Sequence, residues 1–315
     1  VGQISFCKEG GVDVKKREKI WKIIAVCCIG VGIIVSVSAM AAVGFDFTKF
    51  SSTKYELETC VVEEPFENIE IQTDWQDIRL LPSETLECKV VYAGNETLTY
   101  TVKVESGTLK INTEEHREWY QYLSNFNFGD YTDVTLYLPE KDYQSLSVST
   151  SSGNVIVPES FSFASASLKA NSGNLSLLAA VSGDLNAESS SGEIKVEGGA
   201  SGNIHVQTGS GNLLLKQCSP ESMQAVSSSG NVSATDIVAK QGIVIKTGSG
   251  EVNLSSSDAS ELTITTSSGS VRGSLRSGKR FIVNTSSGDV SVPDDPSASQ
   301  QCRITTGSGD VSFSE

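Results

Sequence analysis

Histidine is almost absent from this chain: His116 and His205 are the only two in 315 residues. His205 stands between Ile204 and Val206, a spacing that points it outward from a strand. There is no G-x-S-x-G turn for a serine nucleophile, and no C-x-x-C pair for zinc or redox chemistry. Basic residues are scarce as well, 24 Lys and Arg against 38 Asp and Glu, for a net charge of −14. That argues against a nucleic-acid partner, because phosphate contacts need cations. It suits a surface that repels its own copies or attracts cations weakly. Aromatic residues thin out along the second half, where Phe281 and Phe313 are the only ones after Phe163. Only seven prolines occur, while Ser and Gly abound. A flexible linker has that composition, but it has no need of regularly spaced apolar residues, and this chain has them. No cofactor is expected.

Long apolar runs are also rare. The one present, Ile23 to Phe45, is 23 residues without a charge, and about 20 such residues cross a bilayer core as a helix. Lys15, Lys16, Arg17, Lys19 and Lys22 precede it, Trp21 suits the interface, and Asp46 follows. The positive-inside rule then predicts a cytoplasmic basic segment over 1–22, a transmembrane helix over 23–45 and an extracytoplasmic remainder. The competing expectation is a secreted protein, cleaved near Ala41 after the A-x-A triplet Ala39-Met40-Ala41. No lipobox or LPxTG-like sorting signal is present. Because the chain opens on Val1, its natural form is expected to begin further upstream.

What fills the rest is a repeat. Ser-Gly recurs with its glycine at 153, 173, 192, 211, 230, 250, 269, 288 and 309, a period of 19–21 residues. Weaker half-period echoes stand at Gly183, Gly202, Gly242 and Gly278. Two and four places after the glycine come apolar pairs such as Val155/Val157, Ile194/Val196 and Val311/Phe313. Seven and five places before it come Leu146/Val148, Ile204/Val206, Ile243/Ile245 and their equivalents. Each pair is spaced by two, one inward face of a short strand. Four inward residues cannot fold a coil alone, so identical coils must stack. The fold class is therefore all-β, a β-solenoid of ~19–20-residue coils, with stability close to a sum of neighbour terms.

The glycine implies a corner needing positive φ or a tight backbone approach. The Ser before it, in all nine units, suits a hydroxyl ladder; Asn, Asp, Glu or Ser after it fills an outward polar slot. The template extends back to IEIQTDWQDIRL, where Gln76 takes the glycine slot and Trp75 marks a capping coil, and to YTVKVESGTLKI around Gly107. The domain is thus expected over 66–315, after a linker over 46–65. An insert, 114–133, interrupts it before VTLYLP restores the pattern.

A membrane anchor, a GFDF junction at Gly44–Phe47, IEIQTDWQDIRL, VTLYLP and the Ser-Gly-Asn/Asp train together resemble a bacterial family of β-strand repeats labelled "putative adhesin", a domain of unknown function. The resemblance covers roughly residues 44–315. It implies a β-solenoid on the bacterial surface or envelope and offers no catalytic residues.

Three chemistries are weighed against plainer readings. The Gly-Asp corners have a passing likeness to calcium-binding nonapeptides, but the slot also holds Asn154, Asn174, Asn212, Asn231 and Ser270, which suits an exposed polar ladder better than a cation cage. Asp184, Glu188, Glu193 and Glu197 lie close in sequence, as polysaccharide-cleaving carboxylates of β-helices can, yet read as solvated surface. Cys302 falls in an inward slot as a buried thiol, Cys218 and Cys302 are four coils apart, and Cys60 with Cys88 remains open as a disulfide. The insert is the main candidate binding site: Trp119, Tyr120, Tyr122, Phe126, Phe128 and Tyr131 could stack on sugar rings or anchor a protein. Its alternative role is a cap over the solenoid end. The expected function is a non-catalytic, adhesin-like surface-binding module with a glycan or surface-protein ligand. An envelope sensor signalling through 1–22 is the alternative, and a polysaccharide-acting enzyme a weaker one. Oligomeric state is open.

Overall fold

The computed structural model describes residues 11–42, 56–95, 98–115, 133–293 and 295–314. It divides into two compact units, Val1–Lys54 with Arg117–Asp130, and Tyr55–His116 with Tyr131–Glu315.

In the first unit, Gly11–Ala42 is one α-helix. Its apolar side chains are exposed, Val26 by 68% and Ile34 by 67%. Among the described residues no helix is long and apolar enough to cross a membrane.

The second unit is a β-solenoid of two parallel sheets, as the periodicity predicts. In one sheet Val155–Val157, Leu175–Leu177, Ile194–Glu197, Leu213–Lys216 and Val232–Thr235 stack in register. In the other, Asp142–Thr150, Ser162–Ala170, Leu185–Ser189, Ile204–Thr208 and Met223–Ser227 do the same. The long strand Val252–Thr266 runs from the first sheet into the second. The alternating inward residues form one continuous buried core between the sheets. Four inward side chains stabilise a coil by roughly 1.5–3 kcal/mol each, while ordering its backbone costs about 1–2 kcal/mol per residue. A lone coil therefore does not fold, and neighbours on both sides are required.

The corner explains the glycine. None of Gly153, Gly173, Gly192, Gly211, Gly230, Gly250, Gly269 and Gly309 has positive φ. Instead the backbones touch: a Cβ on Gly173 would stand 1.8 Å from the carbonyl oxygen of Gly153. The same contact joins Gly192 to Gly173, Gly211 to Gly192, and so on along the rod. Of the two expectations, close approach holds. The hydroxyl ladder is also displaced from its expected place. The Ser before each glycine is exposed, whereas the residue three before it is buried in most coils. Thr208 shows the pattern, its Oγ1 accepting from the Gly211 N–H at 3.2 Å and donating to the Gly192 carbonyl at 2.9 Å. Thr247, Ser227 and Ser189 repeat it.

Stacking order departs from chain order at both ends. Asn68–Thr73 pairs with Asp142–Thr150 on one side and with Thr108–Glu115 on the other; Ile78–Pro82 likewise lies between Val134–Leu138 and Val155–Val157. At the far end Gln301–Thr306 lies between Val252–Thr266 and Arg280–Thr285, and Val311–Ser314 between Val271–Leu275 and Val290–Ser291. The corner ladder agrees: Gly309 abuts Gly269, and Gly288 abuts Gly309. Coil 301–314 is therefore interior, and coil 280–291 is the edge, its Val290 47% exposed.

Three expectations about the beginning of the solenoid are corrected. Gly107 is not a coil corner: Leu98–Glu105 and Thr108–Glu115 are an antiparallel hairpin, turned by Ser106 at φ 52° and Gly107 at φ 73°. Trp75 belongs to an interposed coil, not a terminal one; Gln76 fills its glycine slot, the side-chain oxygen accepting from the Asp74 and Trp75 N–H groups. Part of the segment expected as a linker, Glu56–Val62, is a strand paired antiparallel with Cys88–Gly94. Antiparallel strands thus close this end of both sheets.

Two measurements follow. Gly211→Ala should lower stability by at least ~1–3 kcal/mol, the usual cost of overpacking, in urea titrations followed by circular dichroism, while Ser210→Ala stays within about 0.5 kcal/mol. In hydrogen exchange, amides of 301–306 should be better protected than those of 280–285; the reverse would contradict the interposed order.

Candidate functional site

The six aromatics expected to bind, Trp119, Tyr120, Tyr122, Phe126, Phe128 and Tyr131, lie outside the described residues, and so does His116. The strands that flank them are described. The chain leaves one sheet at Thr108–Glu115 and enters the other at Val134–Leu138. These two strands hold the places of one coil, and in chain order the insert falls between them as the Ser-Gly segment does in other coils. At its root Asp133 pairs with Arg79 at 3.4 Å.

The asparagines in the outward polar slot after the glycine make inter-coil bonds. Asn154 Oδ1 accepts from the Asn174 N–H at 3.0 Å, Asn174 Oδ1 from Glu193 at 2.8 Å, and Asn231 Oδ1 from Glu251 at 2.8 Å. Oxygens so committed to the backbone explain the ladder without a cation. Among the described residues no group of three or more His, Cys, Asp or Glu could hold a metal ion.

Of the carboxylates that lie close in sequence, Asp184 and Glu188 line one groove with His205, while Glu193 and Glu197 lie apart from it. Asp184 and Glu188 flank one sheet, Glu193 sits at the corner, and Glu197 extends from the other sheet between Lys195 and Lys216. Glu188 is held below the usual carboxylate range, first by the Asn186 amide that donates to it and then by Lys169. Glu197 is lowered by hydrogen bonds from Lys216 and Lys195. Neither is raised, as a general acid would be.

His205 does point outward, half-buried, on the outer face of the sheet that carries Ile204–Thr208. Shallow grooves of about 850, 480 and 330 Å³ run over this face. Sequence reading missed them, because a groove arises from the lateral alignment of coils, not from any one segment.

It also missed Lys279. This side chain is fully buried, 2.5 Å from Asp258 and bonded to Ser277 and Gln300. Asp258, Gln300 and Lys279 lead into three successive strands of the stack, so one ammonium ties the interposed coil to both neighbours.

Among the described residues the cysteines are free. Cys60 faces Val90 and Cys88 faces Val62, a diagonal pair about 7–8 Å apart, too far for a disulfide without backbone movement. Burial pushes the thiols of Cys88 and Cys302 up to about 12.

With this geometry in hand, the comparisons decide the family. The chain matches the Toastrack DUF4097 family over residues 66–272 and 243–315. It belongs to that family. No curated protein matches the chain. Among solved structures, a "putative adhesin" of Bacteroides fragilis is similar at 12% identity, covering 82% of this chain and 97% of that one with a TM-score of 0.46. A "putative adhesin" of Parabacteroides distasonis is similar at 15% identity, 84% and 98% coverage and a TM-score of 0.47. A "putative lipid binding protein" of the same species shares 16% identity, with 82% and 97% coverage and a TM-score of 0.49.

The buried thiols of this Toastrack chain give a test. Because their folded values lie above the free value of 9.0, the stability they contribute is complete below pH 9 and is lost as pH rises toward 12. Melting temperature should fall across that window, and the Cys88→Ala/Cys302→Ala variant should fall less steeply. At neutral pH both thiols should resist alkylation until urea unfolds the chain.

Proposed function

We propose that this Toastrack protein is a bacterial surface-display module: its N-terminal helix anchors it in the plasma membrane and its solenoid, outside the cell, binds a ligand without catalysis. The observation that carries this reading is the aromatic insert that interrupts the repeat in sequence. Corner polar groups serve the stack itself, and the carboxylates do not assemble into an acid–base pair. The aromatic insert joins two strands of the scaffold, and a segment connecting rigid strands is where recognition residues concentrate. The uncharged run 23–45 behind five basic residues supports the anchor.

The test is adhesion of bacteria displaying the full chain, beside cells displaying a variant in which 116–132 are replaced by Thr-Ser-Ser-Gly-Asn. Protease treatment of intact cells should remove the solenoid and leave the helix. The replacement should reduce adhesion at least tenfold, ~1.4 kcal/mol, with unchanged melting of the solenoid. Equal adhesion by both cell types would remove the insert from the function, and protection of the solenoid from protease would sink surface display.

A further inference from the structure

The insert is not the only place where this molecule could hold a ligand. On the outer face of the sheet built from Ser162–Ala170, Leu185–Ser189, Ile204–Thr208, Met223–Ser227 and Val238–Thr247, the three grooves are continuous. Two share Asn203 and His205, and two share Glu188. The register aligns their side chains in rows along the rod. Asn186, His205, Gln224 and Val244 form one row; Lys169, Glu188, Gln207, Val226 and Lys246 form the next.

We propose that this groove binds a linear polysaccharide lying along the solenoid axis, one sugar ring per coil. The inference rests on the surface-binding reading and gives that reading a second site and a ligand class.

Three observations favour this occupant. First, the groove repeats at the strand spacing of ~4.8 Å, comparable to the advance of a pyranose ring linked through opposite ring positions. A repeating site fits a repeating ligand. Second, its chemistry is mixed in the way hydroxyls require. Amides of Asn186, Gln207 and Gln224 and the His205 imidazole both donate and accept, and the small Val226 and Val244 offer C–H contact. Asn186 donates to Glu188 at 2.8 Å, while its own Oδ1 has no partner among the described residues. Third, charge is balanced here, with Lys169, Lys240 and Lys246 beside Asp184, Glu188 and Glu261, in a chain of net −14. A neutral or weakly charged glycan is not repelled.

The experiment uses the full chain in nanodiscs, titrated with β-1,4-linked oligomers of glucose and of N-acetylglucosamine from two to eight rings. Affinity should rise with each ring and level off near the number of coils the groove spans, about five. His205→Ala/Gln224→Ala should weaken binding at least tenfold without changing the melting temperature, and replacement of 116–132 should leave it unchanged. Absence of binding, or binding that ignores chain length, overturns the proposal. Loss of oligomer binding on replacing the insert moves the sugar site to the insert and also overturns it. If oligomers fail but the double variant reduces cell adhesion, a protein uses this face instead. Length-dependent oligomer binding without cell adhesion would leave the groove standing and overturn the adhesion reading alone.

Discussion

Most of the solenoid depends on one contact, the corner glycine of a coil lying against the carbonyl of the neighbouring corner. A coil stacks only if its backbone can come this close, and only a residue without Cβ allows it. Once the corners meet, the hydroxyl three residues earlier bridges them, accepting from its own glycine and donating to the neighbouring one. The Asn side chain one residue later ties the outer rim. The inward pairs are then held in register over the whole core. The hydrophobic effect supplies the driving force, but it does not fix register; the corner does.

Much of this was legible in the residues. Spacing of two within pairs and about 19–20 between units revealed the sheets, and residues such as Val155, Leu175, Ile194 and Leu213 are buried in the predicted slots. Local pattern failed where local letters are ambiguous. Ser106-Gly107 has the letters of a corner but turns a hairpin, and the clue was the uninterrupted alternation of Leu98–Glu105 and Thr108–Glu115 on either side. The hydroxyl ladder was assigned to the Ser before each glycine because that letter never varies, yet Thr150, Ser189, Thr208 and Thr247 do the bonding. Stacking order was illegible for a different reason: equivalent coils present equivalent edges, so sequence spacing cannot say which of two coils is the neighbour.

Function was less legible than fold for the same reason. Repetition that makes a scaffold recognisable also conceals a site distributed over it, since each of Asn186, His205 and Gln224 is unremarkable alone. The grooves exist only once lateral register is known. The aromatic insert, by contrast, announces itself in sequence as the break in the pattern. Family membership in the Toastrack group identifies the scaffold and leaves chemistry to the particular surface.

The interposed coils have a consequence for how the protein is made. Residues 301–314 are synthesised after 280–291, yet they sit between that coil and the rest of the rod. Coil 280–291 therefore has no finished neighbour while it emerges, and must wait beside the growing stack until residue 314 has followed. A chain interrupted anywhere in that stretch leaves half-buried Phe281 and Val283 without their cover, and Lys279 without Gln300. The topology thus couples the two coils: 280–291 gains its neighbour only when 301–314 has followed it into place.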